Sequence, residues 1–329
     1  SFPTRRSSDL MKNWDSDTDN RRKLKPWHGI VLFGIVMLSF YTIIAWAQMK
    51  WGMYGLALTE LYLLFLSIFA VKLLKIPVKE IFPLKKPKWR KTFGVLLMWV
   101  SSYALMIPVT MSMAYFFPEE MFAVSEGLNE VIYSVPFILS VFISSVMPAV
   151  CEEALHRGFI LKSFQSKWKN KWFLSLLMGI IFGLFHGSVW RFLPTAVLGG
   201  VLTYIMLETE NMFYPALFHF TNNFLPSFLL GLSGNAPQTE AASEILVQQG
   251  IPVAFLGVYL AMACIVPFGF YTADYLLRKG EQGKEQRYIK SNSVLISLIV
   301  LTVLPIILGM MIFIYGLFFD TNSFFSVYI

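Results

Sequence analysis

Charge is scarce in this sequence. Only 14% of its residues are Asp, Glu, Lys or Arg, against about 25% in ordinary soluble domains. Beside a hydrophobic share of 56% and a mean hydropathy of +0.59, that deficit excludes a water-soluble globular protein. Cysteine is nearly absent: Cys151 and Cys264 lie in or beside apolar segments, so there is no disulfide framework and both read as structural thiols. The apolar-polar alternation that builds a membrane β-barrel is missing. A long internal repeat is missing too, which argues against an inverted-repeat transporter. So is the zinc-protease pattern His-Glu-x-x-His.

What is there is a succession of apolar runs. They predict an all-α fold, a polytopic transmembrane helical bundle with about nine spans: Gly29 to Ala47, Tyr54 to Leu74, Thr92 to Phe117, Val135 to Leu161, Trp172 to Val189, Leu193 to Leu207, Met212 to Leu230, Pro252 to Tyr271 and Val294 to Phe319. The net charge of +7 falls in short loops, where orientation in a membrane explains it, so no nucleic-acid partner is expected. Lys72 to Lys91 carries eight Lys or Arg, while Pro118 to Ser134 has four glutamates and no base. Lys162 to Lys171 and Arg278 to Lys290 are basic again, and Gly231 to Gly250 has two glutamates and no base. The alternation predicts a multi-pass protein of the cell membrane with a cytoplasmic N-terminus and an outside C-terminus. One short turn, Glu208 to Asn211, breaks the pattern by being acidic on the cytoplasmic side.

The fifth and sixth spans are short, the sixth near fifteen residues, and both are expected inside the bundle around a water-accessible cavity. Gly179, Gly183 and Gly187 recur every fourth position and permit close approach of a neighbouring helix. Residues 1–10 match nothing downstream in character and read as a non-native leader. Residues 11–28 read as a cytoplasmic tail, 29–134 as N-terminal spans, 135–230 as the functional core and 231–329 as C-terminal spans.

The chemistry concentrates in Cys151-Glu152-Glu153-Ala154-Leu155-His156-Arg157-Gly158. An ionisable residue at a helix centre costs roughly 2.5 to 3.5 kcal/mol on insertion scales, so a pair of carboxylates at membrane depth is a functional hypothesis by default. Glu153 and Arg157 share a helix face, as do Glu152 and His156. The arginine can therefore neutralise one carboxylate and leave Glu152 free to work. Two further histidines lie within apolar spans, His186 one turn after Phe182 and His219 one turn before Asn223. Carboxylate, imidazoles and amide supply what peptide hydrolysis needs: a base for water and donors for an oxyanion.

The ordered set Glu-Glu-x-x-x-Arg (Glu152 to Arg157), Phe-x-x-x-His (Phe182 to His186) and His-x-x-x-Asn (His219 to Asn223) resembles the CPBP family of intramembrane proteases. That family takes in the type II CAAX prenyl endopeptidases and the bacterial Abi, or bacteriocin-processing, homologues. The resemblance covers roughly Val135 to Leu230 and implies a CPBP-type core of four to five helices. It further implies an endopeptidase acting on a membrane-associated peptide or protein at the lipid bilayer. Carried over by position, it makes Glu152 the general base, working with His186 on the attacking water. His219 and Asn223 become the oxyanion-stabilising pair, with Glu153, Arg157 and Phe182 in support. His156 departs from the pattern and leaves open which histidine partners Glu152.

Alternatives stand beside each reading. Glu153 with Arg157 can be a structural ion pair, and His186 and His219 can be hydrogen-bonded packing residues. Glu60, alone in the second span, is a buried contact or a second functional group. Glu152, His186 and His219 could supply three zinc ligands with water as the fourth, although a metal-free reaction is favoured and zinc is the alternative cofactor. At the level of function, a non-enzymatic immunity or scaffold protein, or a transporter, is the alternative. Geometry sets one condition. At about 1.5 Å per residue, Glu152 lies about 13 Å from the cytoplasmic end of its span and His186 roughly 20 Å into its own, so the fifth helix must tilt, start outside the lipid or dip.

Overall fold

A computed structural model describes residues 23–233, 250–278 and 287–320. The leader 1–10, most of the tail 11–28, most of the acidic loop Gly231 to Gly250 and the last nine residues lie outside the described residues. Among the described residues ten principal helices follow one another: α1 (Pro26–Trp51), α2 (Met53–Leu73), α3 (Trp89–Phe116), α4 (Pro118–Tyr133), α5 (Phe137–Gln165), α6 (Lys171–Phe185), α7 (Val189–Thr209), α8 (Phe213–Ser233), α9 (Val253–Arg278) and α10 (Asn292–Phe319). No strand occurs among the described residues. The chain is a polytopic helical bundle.

Among the described residues seven helices, α1, α2, α3, α5, α7, α9 and α10, are long and apolar enough to cross a membrane. The difference from nine has two sources. Helix α6 has only 15 residues, and α8, with 21, carries His219, Asn222 and Asn223 on an otherwise apolar surface. The sixth span is longer than its apolar run indicates, 21 residues instead of about fifteen, because the helix begins at Val189 and includes Arg191. Between α3 and α5, the segment read as an acidic loop is largely the helix α4. Pro118 sits in its first turn with Glu119 and Glu120, where a fixed φ and negative charge both favour a helix start.

Helix α5 is the axis of the bundle. Of its most apolar window, 61% is buried, against 11% for α10, which lies on the periphery. Two wide π-helical stretches interrupt α5, Phe142–Val146 and Ala154–Ile160, and the second holds His156 and Arg157. Such stretches shift the side-chain register within a helix and are frequent at functional sites. One apolar cluster, including Leu32, Leu63, Leu155, Phe159, Met178 and Phe185, joins α1, α2, α5 and α6. A second, including Val95, Met98, Ile205, Tyr214, Phe218 and Ala273, joins α3, α7, α8 and α9. Helices α6 and α7 approach closely: a Cβ built on Gly179 would lie 2.5 Å from the Ala196 carbonyl oxygen, and one on Gly183 2.9 Å from that of Phe192.

The basic loops gather at one end. Asn211 accepts from the Lys85 N–H (3.1 Å) and donates to the Lys85 carbonyl (2.9 Å), while the Met212 N–H donates to the Pro83 carbonyl (2.8 Å). The acidic turn Glu208 to Asn211, anomalous by sequence, is explained there. Glu210 pairs with Lys85 at 3.6 Å and Glu208 pairs with Lys171, so this turn neutralises two basic segments at the same end. Asp274, near the end of α9, joins them by accepting from Tyr204 and from Arg278.

Helix lengths ease the depth condition. Helix α5 continues to Gln165, so Glu152 lies thirteen residues, or about 20 Å, from its end. Helix α6 starts at Lys171, with the Asn170 side chain capping the Trp172 and Phe173 N–H groups at 2.9 and 3.1 Å. His186 is fifteen residues on, about 22 Å from the same end. The two distances are similar, and both residues line one cavity.

Candidate functional site

The site grows outward from Glu153. Its side chain and that of Arg157 are fully buried, and Arg157 Nη1 donates to Glu153 Oε1 at 2.9 Å. The same oxygen accepts from His219 Nδ1 of α8 at 2.8 Å. Arg157 Nη2 donates to the Gly199 carbonyl of α7 at 2.9 Å, and its guanidinium lies 4.5 Å from the centre of the Phe182 ring of α6. One carboxylate-guanidinium pair thus ties α5 to α6, α7 and α8. A buried charge pair persists only when its remaining hydrogen-bonding capacity is met; here α7 and α8 meet part of it, and α6 adds an aromatic face.

Glu152 stands differently. Its Oε2 makes no hydrogen bond and faces His219 Nε2 at 3.9 Å. Since His219 Nδ1 is committed to Glu153, the far nitrogen is the one presented to Glu152. An oxygen about 2.8 Å from both atoms would complete a triangle with an apex angle near 90°, so the gap accommodates one bridging water set to the side. Unpartnered buried polar atoms concentrate in this motif: Glu152 Oε2, Glu153 Oε2, His156 Nε2 and Arg157 Nε. Buried polar atoms without protein partners call for a specific explanation, and at Glu152 the atom in question faces the cavity.

Glu152, His186, His219 and Asn223 line one cavity of about 560 Å³. Phe182 orders its wall, with ring centroids 4.8 Å from His186 and 5.8 Å from His219. His186 Nδ1 bonds the Phe182 carbonyl at 2.8 Å. A carbonyl only accepts, so that nitrogen carries the proton and a neutral His186 turns an accepting Nε2 outward. Asn223 Nδ2 donates to the Ser144 carbonyl at 3.1 Å, which uses one of its two amide hydrogens.

His156 is not part of this group. Its Nδ1 bonds the Glu152 backbone carbonyl at 2.9 Å, its ring packs edge-on against Phe182 and Phe185 at 5.0 and 4.8 Å, and it is fully buried away from the cavity. The histidine in reach of the Glu152 carboxylate is His219. Arg191, Asn222 and Glu60 also line the cavity. Arg191 went unnoticed in the sequence because it falls between two apolar runs, where a charge reads as loop. Asn222 could have been found from its place beside Asn223.

The zinc reading rests on the same three side chains. His219 does have the carboxylate support at Nδ1 that metal-binding imidazoles use. Yet among the described residues no three His, Cys, Asp or Glu side chains are grouped to hold a metal ion, so Glu152, His186 and His219 share a cavity without forming a ligand set.

Comparison with known proteins gives a consistent picture. The chain is 27% identical over 168 residues to the uncharacterized protein YyaK of Bacillus subtilis (strain 168), covering 48% of this chain and 54% of that protein. It is 26% identical over 98 residues to the UPF0177 protein YxdF of Lactococcus lactis subsp. lactis (strain IL1403), covering 30% of this chain and 53% of the relative. The chain thus spans about half the length of the curated relatives it matches. No solved structure matches it. Residues 134–225, which run from the start of α5 into α8, match the family model for Rce1-like type II CAAX prenyl endopeptidases.

Proposed function

We propose that this protein is an intramembrane endopeptidase that hydrolyses a peptide bond of a membrane-associated peptide or protein with a glutamate-activated water. The observation that carries the reading is the unbonded Glu152 Oε2 held 3.9 Å from His219 Nε2 in a cavity shared with His186 and Asn223.

In this mechanism a water donates one proton to Glu152 while His186 Nε2 accepts its second hydrogen and aims it. The water oxygen attacks the peptide carbonyl carbon, and the carbonyl oxygen becomes an oxyanion. His219, protonated and held by Glu153 through Nδ1, donates from Nε2 to that oxyanion, and the free Asn223 amide hydrogen supplies a second donor. Collapse breaks the carbon-nitrogen bond as protonated Glu152 returns its proton to the leaving amine. Glu153 orients the imidazole in the way the buried aspartate of a serine-protease triad does. Arg157 holds Glu153 in place. The basic end shared by the loop Lys72 to Lys91, the loop Lys162 to Lys171 and the end of α9 is the cytoplasmic one under the positive-inside rule, which puts the N-terminus inside and the C-terminus outside.

The test uses purified protein in lipid nanodiscs and a set of quenched fluorescent peptides from membrane-protein tails and spans. Glu152→Gln is expected to lower kcat at least about a hundredfold while the protein still inserts and unfolds as the parent does. Equal cleavage by mutant and parent would end the assignment and favour a scaffold or immunity role.

A further inference from the structure

Glu60 belongs to α2, outside the 134–225 segment matched by the family model. Its side chain lines the cavity that holds Glu152, His186 and His219, yet the residue is only 2% exposed. No hydrogen bond or ion pair reaches it among the described residues, and its Oε2 is buried without a partner. The hydrogen bonds of its polar neighbours run elsewhere. Gln48 Nε2 donates to Thr59 Oγ1 at 3.0 Å, and Thr59 Oγ1 donates to the Gly55 carbonyl at 2.9 Å. Cations are committed or remote as well. Arg157 is held by Glu153 and the Gly199 carbonyl, and Arg191 enters the cavity from the α7 side.

A carboxyl in that position is unsatisfied in either protonation state: ionised it lacks a donor, and neutral it lacks an acceptor for its O–H. Such a group at membrane depth marks a place for a partner. Glu152 does not serve as that partner: its Oε2 makes no hydrogen bond either, and among the described residues no hydrogen bond joins the two carboxyl groups. What the site needs is a positive group with several N–H donors, small enough to share a cavity of about 560 Å³ with a peptide backbone. We infer that Glu60 is a specificity-determining residue that receives a cationic side chain, lysine or arginine, of the peptide lying across Glu152 and His219. The inference rests on the endopeptidase reading above and adds to it a preferred substrate chemistry. Neutral side chains of similar length would leave Glu60 unpaired, and acidic ones would add a third negative charge.

The experiment uses the full chain in nanodiscs and a set of apolar decapeptides that differ at one position, walked along the sequence, as lysine, arginine, norleucine or glutamate. Cleavage is followed by mass spectrometry. The parent is expected to prefer lysine or arginine over norleucine at one position by about tenfold or more in kcat/KM, the scale of a charge-assisted hydrogen bond. In Glu60→Gln that ratio should fall to near one, and Glu60→Asp should keep part of it. An unchanged ratio in Glu60→Gln overturns the inference. So does an equal loss on every peptide, which would place Glu60 in the reaction itself. Binding of the same peptides to the Glu152→Gln variant, read by fluorescence anisotropy, separates this inference from the protease reading. A lysine preference that disappears in Glu60→Gln/Glu152→Gln supports the subsite whether or not the parent cleaves. Absence of cleavage by the parent counts against the protease reading alone, and equal binding of all peptides counts against the subsite.

Discussion

Replacing Arg157 by leucine should be among the most destabilising single changes in this chain. Removing one member of a fully buried ion pair costs about 3 to 5 kcal/mol, because the surviving charge keeps its desolvation penalty. Glu153 would retain the His219 donor, which puts the electrostatic part near the lower figure, about 3 kcal/mol. The Gly199 carbonyl loses its donor from Arg157, about 1 kcal/mol more, and the guanidinium contact with Phe182 accounts for about another 1 kcal/mol. The total, about 5 kcal/mol, is more than a thousandfold in the folding equilibrium. Reversible unfolding in mixed micelles of increasing denaturing detergent, followed by the fluorescence of the 9 tryptophans, measures it. Glu153→Gln alone should also destabilise, and the double variant should be less damaged than the sum of the two, with a coupling of about 2 kcal/mol. An Arg157→Leu protein within 1 kcal/mol of the parent, or strict additivity in the double variant, would refute the claim that this pair locks α5 to its neighbours.

Two further expectations concern packing. His156→Phe should leave stability within about 1 kcal/mol of the parent and keep peptide cleavage, since the lost bond to the Glu152 carbonyl is offset by removing the unpartnered Nε2. Thermal unfolding together with the peptide assay checks it, and loss of cleavage without loss of fold would return His156 to the reaction. Gly183→Leu should destabilise by about 1 to 3 kcal/mol through overpacking, because even its Cβ would meet the Phe192 carbonyl at 2.9 Å. The same unfolding measurement decides, and a silent substitution would mean that α6 and α7 can separate freely.

The residues that carry charge in lipid were legible from the sequence because hydrocarbon makes such residues conspicuous. Glu152, Glu153, Arg157, His186, His219 and Asn223 stand out for that reason, and the structure brings them around one cavity and its wall. Their pairing was not legible. Helical spacing relates residues within one rod, so it suggested Glu153 with Arg157, a pair the structure contains. It could say nothing of the bond from His219 to Glu153, which depends on how α8 docks against α5. Helix limits failed where charge was used as the boundary. Arg191 turns into the cavity, so its charge ends no helix, and α7 begins two residues before it. Likewise Glu119 and Glu120 read as loop by composition, although a proline followed by acids is a helix start.

A single oxygen, Oε1 of Glu153, receives both the guanidinium that fastens the rods together and the imidazole that faces Glu152. Selection therefore cannot tune the one without disturbing the other. Damage at this position should reach the cell first as scarcity, with misassembled copies cleared by membrane quality control before any shortfall in turnover is felt. Inherited variation is then expected to drift through the lipid-facing aromatic surface and to stop abruptly at this junction.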